Sequence, residues 1–172
     1  SRTLDGESVS DINSRLRPKP ERQAASALRS NEGASYNGFF VLGMGFTLTP
    51  EQRSELIRRD KANESCILPY IGGSEVNTSP TQDFERYGIS FGDMSLKEAE
   101  EWPELLDIVR REVKPGRDKQ KRKHLRDRWW QFAETRPALK RSLSSLDFCL
   151  VTARVSKHLM FCLQPADRVF SE

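Results

Sequence analysis

The sequence has few residues of the types that form metal or redox centres. Its 172 residues include two histidines and three cysteines, and Cys66, Cys149 and Cys162 are widely spaced and form no C-x-x-C pair. A zinc site requires clustered Cys and His ligands, so we predict no metal site. Cys149 and Cys162 lie within apolar runs, where burial raises the thiol pKa and disfavours nucleophilic catalysis. An odd number of scattered cysteines is typical of reduced, structural thiols in a cytoplasmic protein.

The sequence also lacks a long hydrophobic segment. No apolar run approaches the roughly 20 residues that are needed to cross a bilayer, so no membrane partner is expected. The first five residues, Ser1 to Asp5, contain neither an initiator methionine nor a hydrophobic signal region. We therefore expect a cytoplasmic protein whose chain is a segment of a longer polypeptide rather than an exported one.

Catalytic motifs are scarce as well. Gly43-Met44-Gly45 lacks the third glycine of a nucleotide-binding turn, and the residues after it favour a bent strand. No Asn/Asp-Pro-Pro-aromatic motif, which positions an amino group for methyl transfer, occurs in the chain. Asp83, Glu85 and Arg86 lack the Glu-x-Lys strand signature of a metal-dependent nuclease. We therefore predict no catalytic residue here, with a small magnesium-dependent nuclease using Asp83 and Glu85 as an alternative.

What the sequence does contain is a strongly basic run that ends in two tryptophans. Ten Lys and Arg residues but only three acidic residues lie between Arg110 and Arg128, so this segment carries a charge of about +7, whereas the whole chain carries +3. Concentrated positive charge is the electrostatic signature of proteins that bind the phosphate backbone. The adjacent Trp129 and Trp130 could pack in the core or stack on bases.

Composition predicts one domain and an arm. With 36% hydrophobic and 31% charged residues, the chain can bury a core and keep a highly charged surface. Residues 1–35 are polar and poorly periodic, and they are predicted to form a linker or arm with a short helix from about Arg22 to Leu28. Residues 36–172 are predicted to form an α+β domain with a mainly antiparallel sheet core and a long charged helical insertion.

Local patterns predict the elements of this domain. Residues 39–42 and 46–48 are expected to form two short strands or one kinked strand. Further strands are expected at residues 66–71 and 87–91, followed by a closing antiparallel pair at 148–151 and 159–163. Thr49, followed by a proline, is predicted to cap a helix that ends at about Arg59. Ser95 and Glu98 are predicted to form the capping box of the next helix, which Pro103 kinks or splits. Residues 74–85 are predicted to form a loop.

The basic run itself is predicted to form a helix after Pro115. Leu125, Trp129 and Phe132 follow at i, i+4 and i+7 and form its buried stripe. Toward the N-terminus the same stripe meets charged residues, so the first two turns should project beyond the core. Trp130 points about 100° away from Trp129 and is expected to be buried by another layer.

An ordered series of motifs resembles one protein family. The motifs are residues 42–49 (LGMGFTLT), 69–73 (PYIGG), 76–80 (VNTSP), 113–115 (VKP), 117–118 (RD), 128–132 (RWWQF), 136–137 (RP) and 153–157 (ARVSK). This series is similar to the target-recognition region of large bacterial adenine-specific DNA methyltransferases, including fused restriction-modification and phage-defence enzymes with a TaqI-like specificity domain. The resemblance covers nearly the whole chain, although the family typically continues into further strands.

The resemblance implies that this chain binds double-stranded DNA and orients a methyltransferase domain, which lies N-terminal to this region in the family. In the family that domain binds S-adenosylmethionine and flips out an adenine. Its motifs are absent here, so we expect neither a bound cofactor nor methylation from this chain alone.

The resemblance also implies a division of contacts between phosphates, which hold the domain on the duplex, and base edges, which specify sequence. The phosphate contacts are assigned to Lys119, Lys121, Arg122, Lys123 and Arg126. The base or groove contacts are assigned to Asn77 and Thr78 in the loop before Arg86, to Arg86 itself, and to Arg154, Ser156, Lys157 and His158 in the loop before the last strand.

Simpler interpretations of the same residues stay open. The basic residues can form a solvated helix face, and the loop residues can merely cap their own strands. In the alternative function, a scaffold that binds no DNA, the acidic segment from Glu98 to Asp107 pairs with the basic helix inside the molecule.

Overall fold

The computed structural model describes residues 2–23 and 26–172, and the chain divides into two compact units, Ser1–Ser35 and Tyr36–Glu172. In the first unit, strands β1 (Arg2–Leu4) and β2 (Glu7–Val9) pair antiparallel. Asp5 and Gly6 form the turn between them, and both have the positive φ that a type I′ hairpin turn requires. This hairpin lies where the sequence predicts a linker or arm, and the Asp-Gly pair is its local signal.

The predicted helix from Arg22 to Leu28 is wrong for the residues of that range that the structure describes, because they have no helical structure. Ala24 and Ala25, also in that range, lie outside the described residues. A 3-10 turn, Arg29–Asn31, follows. Short helices are marginal without packing, and the described part of this unit contains no buried residue to supply it.

The second unit contains a four-stranded sheet in the order β3-β5-β4-β8. The strands are β3 (Thr47–Leu48), β4 (Ile67–Ile71), β5 (Arg86–Ile89) and β8 (Val169–Phe170). Strand β5 pairs antiparallel with both β3 and β4, whereas β8 pairs parallel with β4. Strands β6 (Phe148–Val151) and β7 (Cys162–Pro165) form a separate antiparallel hairpin. The α+β class is therefore confirmed, and so is the antiparallel closing pair, although its second strand begins at Cys162 rather than at residue 159.

Seven α-helices lie in the described part of this unit. They are α1 (Pro50–Arg59), α2 (Gly73–Thr78), α3 (Leu96–Ala99), α4 (Pro103–Glu112), α5 (Lys114–Asp118), α6 (Lys123–Asp127) and α7 (Pro137–Leu143). Thr49 and Ser95 cap α1 and α3 through the expected capping boxes, and Pro103 begins a new helix. Within the described residues no helix is long and apolar enough to span a membrane.

Three predicted elements need correction. The loop predicted at residues 74–85 begins as helix α2, whose first turn is closed by the Glu75 carboxylate accepting from the N–H of Gly72. The long basic helix is broken into α5 and α6. A continuous helix would place Lys119 beside Arg122 and Lys123, at i+3 and i+4, where like charges destabilise each other. The residues 39–42 form only isolated bridges, at Phe39 and Phe40.

The core of this unit is rich in aromatic residues. Leu125, Trp129 and Phe132 are buried as predicted, and Trp130 is buried too. Of these four residues only Leu125 belongs to α6, because the helix ends at Asp127. Phe132 packs edge-on against Phe46, with 5.2 Å between ring centroids. Trp130 also donates its indole N–H to the carbonyl of Met94, at 2.9 Å. Burial of both tryptophans excludes them as exposed platforms for base stacking.

Candidate nucleic-acid interface

Part of the basic run connects α5 to α6, at residues 119–122, and is called the basic connection below. Lys119, Lys121 and Arg122 are exposed there, and none of them forms a salt bridge with any residue that the structure describes. Lys123, the first residue of α6, is also exposed but lies 3.5 Å from the carboxylate of Asp127. Three neighbouring cations are thus free to bind an external anion.

Two arginines fix the basic connection to the rest of the fold. The buried Arg117 at the end of α5 donates from Nη2 to the carbonyls of Val41 and Gln131, at 3.0 and 3.1 Å. Arg126 on α6 donates from Nη1 to the carbonyls of Gln120 and Lys121, at 2.6 and 3.0 Å. Arg117 therefore anchors the chain just before the connection to the core, and Arg126 holds the backbone of its two middle residues, while the cationic side chains of the connection are exposed.

Arg117 is electrostatically unusual because it is buried and forms no salt bridge with the residues that the structure describes. It is 2% exposed, and its Nε and Nη1 have no hydrogen-bond partner within the described parts of the chain. Burial lowers the pKa of the Arg117 guanidinium, since it penalises the charged form. An arginine nevertheless stays protonated at neutral pH. Its uncompensated charge adds to the positive field of the basic connection.

The acidic segment from Glu98 to Asp107 has other partners. Glu98 caps α3, Glu104 pairs with Arg59 at 3.4 Å, and Asp107 pairs with Arg110 at 2.5 Å. Among the residues described, no salt bridge joins this segment to the basic connection or to α6. The described residues therefore do not form the intramolecular pairing on which the scaffold alternative depends.

The predicted base contacts Asn77 and Thr78 lie at the C-terminal end of α2 and not in a loop. Asn77 donates from Nδ2 to the carbonyl of Val155, at 3.1 Å, while the Thr78 hydroxyl donates to the carbonyl of Ser74. Arg86 is half-buried on β5, where it pairs with Glu75 at 2.7 Å and lies 4.7 Å from the ring centroid of Tyr70. Arg86 therefore has a structural role in fixing α2 to the sheet.

The remaining predicted contacts lie in residues 152–161, which connect β6 to β7 and are called the hairpin loop below. Arg154 pairs with Glu172 at 2.6 Å, and the Ser156 hydroxyl accepts from the N–H of His158. Lys157 and His158 are exposed. The Asn77–Val155 hydrogen bond brings the predicted contacts on α2 close to those in the hairpin loop. No hydrogen bond or salt bridge of the described residues joins the hairpin loop to the basic connection.

The residues of the nuclease alternative do not form a metal centre in the structure. Asp83 is exposed and lies 3.5 Å from Arg168, and Glu85 is also exposed. Across residues 2–23 and 26–172, no three His, Cys, Asp or Glu side chains converge as metal ligands. Gly45 does not form a nucleotide-binding turn either, because it packs directly against Glu112 and Val113 at the end of α4.

Arg128 and the side chains at the tip of the hairpin loop are further candidate contacts that were not predicted from the sequence. Arg128 is exposed next to α6, without a salt bridge to the described residues, and its place in the basic run is the signal for it. Val155 and Leu159 are 83% and 85% exposed. Their position in the sequence, next to Arg154, Lys157 and His158, is the feature that could have identified them as candidates.

Comparison with solved structures places this geometry in a known fold. The chain is similar to the Type IIL restriction-modification enzyme MmeI, solved in complex with DNA, with a TM-score of 0.65 and 16% sequence identity. The alignment covers 95% of this chain and 22% of that enzyme's chain. The resemblance to restriction-modification enzymes is thereby confirmed at the level of the fold. No family model and no curated protein sequence matches the chain.

Proposed function

We propose that the Tyr36–Glu172 unit binds double-stranded DNA as the target-recognition region of a bacterial restriction-modification or phage-defence enzyme that methylates adenine. The observation that carries this proposal is the basic connection, where Lys119, Lys121 and Arg122 are exposed and have no salt-bridge partner within the described residues. Phosphates are the natural partners of such a cluster. The fold shared with a part of a DNA-bound restriction-modification enzyme supports the same conclusion.

In this proposal the two surfaces contribute differently. The basic connection and Lys123 hold the phosphate backbone, with Arg117 and Arg126 acting as positioning residues for that loop. Lys157 and His158, together with Arg154, Ser156, Asn77 and Thr78, contact the groove. Arg154 can release Glu172 and form hydrogen bonds with the edge of a guanine instead, because its ion pair is exposed and therefore weak.

The chemical partner of this region is a catalytic domain of the same enzyme. S-Adenosylmethionine would be held by that domain and would supply the methyl group. The residues of the present chain would position the duplex, so that the target adenine reaches the catalytic domain. We propose no cofactor contact for any residue of this chain.

The test is fluorescence anisotropy of the chain with a random-sequence duplex, titrated over a range of salt concentrations. We expect the logarithm of the binding constant to fall linearly with the logarithm of salt concentration. The variant Lys119→Gln, Lys121→Gln, Arg122→Gln should bind weakly and reduce that slope by about three units, since each lost phosphate contact removes about one. Its melting temperature should stay near that of the wild type, because all three side chains are exposed.

A matched control removes the same charge elsewhere. Lys61, Lys97 and Arg141 are exposed and have no salt bridge to the described residues, so the variant Lys61→Gln, Lys97→Gln, Arg141→Gln has an equal net charge. It should retain the wild-type slope. Equal losses in both triple variants would mean that net charge alone drives binding, and no binding by the wild type at low salt would overturn the proposal.

A further inference from the structure

The hairpin loop exposes two large apolar side chains at its end. Val155 is 83% exposed and Leu159 is 85% exposed, the two highest values among the exposed large hydrophobic residues of the described chain. Both lie among cationic or titratable side chains, namely Arg154, Lys157 and His158. No acidic residue occurs between Asp147 and Asp167. The hairpin loop thus combines exposed apolar and positively charged groups with no negatively charged residue, a combination that suits a partner with both phosphates and apolar surface.

The base of this loop is fixed by the segment that follows β4. The amide of Asn77 donates to the carbonyl of Val155, at 3.1 Å, and the amide of Gln82 donates to the sulfur of Met160, at 3.1 Å. Met160 also packs against the small core cluster formed by Ile71, Val76 and their neighbours. The four residues Ser156 to Leu159 therefore extend beyond two fixed points. Fixed points lower the entropy that a loop loses on binding.

We propose that the tip of the hairpin loop is an apolar wedge, in which Leu159, assisted by Val155, inserts against the bases of a DNA duplex and partly unstacks them. This inference rests on the proposed DNA-binding function and assigns base contact to two residues without a hydrogen-bonding side chain. Arg154 and Lys157 contact the groove on either side of the wedge, as in the proposed function. Apolar side chains on a cationic element are a known means of opening base steps and bending DNA.

A lipid surface is the other partner that combines phosphate with apolar material, and the tip fits it less well. Binding to anionic membranes typically uses clusters of about four to eight Lys and Arg residues. The hairpin loop has two such residues, Arg154 and Lys157. Two projecting side chains match the narrow space between base pairs better than a broad bilayer interface. Asn77 and Ser156 add hydrogen-bonding groups that base edges can use.

The test compares two double variants of the full chain. The tip variant is Val155→Ser, Leu159→Ser. The control is Leu150→Ser, Leu163→Ser, whose residues pair across β6 and β7 and are 70% and 64% exposed on the same hairpin. Affinity is measured by anisotropy with duplex DNA, and unstacking by the fluorescence of 2-aminopurine placed at several steps of a short duplex. Melting temperatures of both variants should match the wild type, because none of the four side chains is buried.

We expect the tip variant to lose about tenfold in affinity, as removal of a buried leucine contact implies, while keeping the wild-type salt slope. The rise in 2-aminopurine fluorescence that accompanies wild-type binding should disappear. The control variant should stay within about twofold of wild type, since its apolar pair lies away from the tip and gains no base contact.

Other outcomes separate this inference from the function beneath it. Absence of DNA binding by the wild type overturns both. The wedge alone is overturned if the wild type binds DNA and the tip variant binds it equally well. It is also overturned if the control variant loses as much affinity as the tip variant, or if wild-type binding leaves 2-aminopurine fluorescence unchanged. Co-sedimentation with anionic vesicles that the tip variant loses, with DNA affinity unaffected, would instead assign the tip to a lipid surface.

Discussion

At the level of single residues, Glu75 makes the stability of the second unit depend on pH. Its carboxylate is 5% exposed and accepts from the N–H of Gly72 at 2.9 Å and from Nε of Arg86 at 2.7 Å. Burial by itself raises the pKa of Glu75, but the hydrogen bonds from Arg86 and the backbone lower it by a larger amount. The pKa of Glu75 therefore lies below the ordinary 4.5.

A lowered pKa in the folded state means that the Glu75 carboxylate stabilises the protein above the unfolded-state pKa. That stabilisation is lost as the pH falls through the folded-state pKa. In urea denaturation we expect the free energy of unfolding to decrease more steeply below pH 4.5 in the wild type than in Glu75→Gln. At neutral pH the substitution should cost about 2 kcal/mol, because Arg86 loses its partner.

The control for this prediction is Glu101→Gln, at an exposed glutamate without a salt bridge to the described residues. It should leave both the neutral stability and its pH dependence unchanged. Parallel pH profiles for the wild type and Glu75→Gln would show that Glu75 does not contribute to acid sensitivity.

The position of Arg117 could not be predicted from the sequence. Its charge is correctly counted in the basic run, yet the structure places it in the core, bonded to the carbonyls of Val41 and Gln131. Those partners lie 76 and 14 residues away along the chain, so no local pattern indicates them. Lys119, Lys121 and Arg122, by contrast, are exposed as a dense charge pattern implies. The charge density of the basic run predicted an exposed cationic surface, but it did not predict that Arg117 is buried beneath it.

Among the elements, the approach of the 3-10 turn Met44–Phe46 to α4 depends on a glycine. A Cβ at Gly45 would overlap Cβ of Glu112 and lie 2.9 Å from Cγ2 of Val113. Gly45→Ala should therefore push the turn away from α4 and destabilise the unit by about 2 kcal/mol, as overpacking does. Urea denaturation followed by tryptophan fluorescence measures this effect.

Gly116 in α5 provides the matched substitution. A Cβ there would meet no atom within 4 Å, so Gly116→Ala should stabilise the unit by about 0.5–1 kcal/mol through reduced entropy of the unfolded chain. If Gly45→Ala proved as stable as Gly116→Ala, the close packing of the turn on α4 could not be important for stability.

Elements with a local cause were predictable from the sequence, and elements with a distant cause were not. Helices α1 and α3 begin where Thr49 and Ser95 can cap them, since a capping box lies within four residues. Strand β8 has two residues and exists because Val169 and Phe170 pair with Tyr70 and Ile71. Helix α2 likewise depends on Glu75, which Arg86 holds from β5. The same limit explains why Asn77 and Thr78 were expected in a loop.

For the whole molecule, the distribution of buried residues predicts that the second unit folds by itself. Every buried hydrophobic residue of the described chain lies between Val41 and Phe170, whereas Leu16 and Leu28 in the first unit are 74% and 65% exposed. Residues 1–35 contain six Lys and Arg and five Asp and Glu residues, so their net charge is small. The core and most of the net charge both belong to the Tyr36–Glu172 unit.

Deletion of residues 1–35 should therefore change neither stability nor DNA affinity appreciably. We expect the melting temperature to stay within about 2 °C of the full chain, since 1 kcal/mol corresponds to roughly 4 °C at this size. The dissociation constant for duplex DNA should stay within about twofold, because the lost segment contributes little net charge to counterion release. A drop of more than about 5 °C would mean that the first unit stabilises the second. Lost affinity at an unchanged melting temperature would instead mean that the first unit contacts DNA.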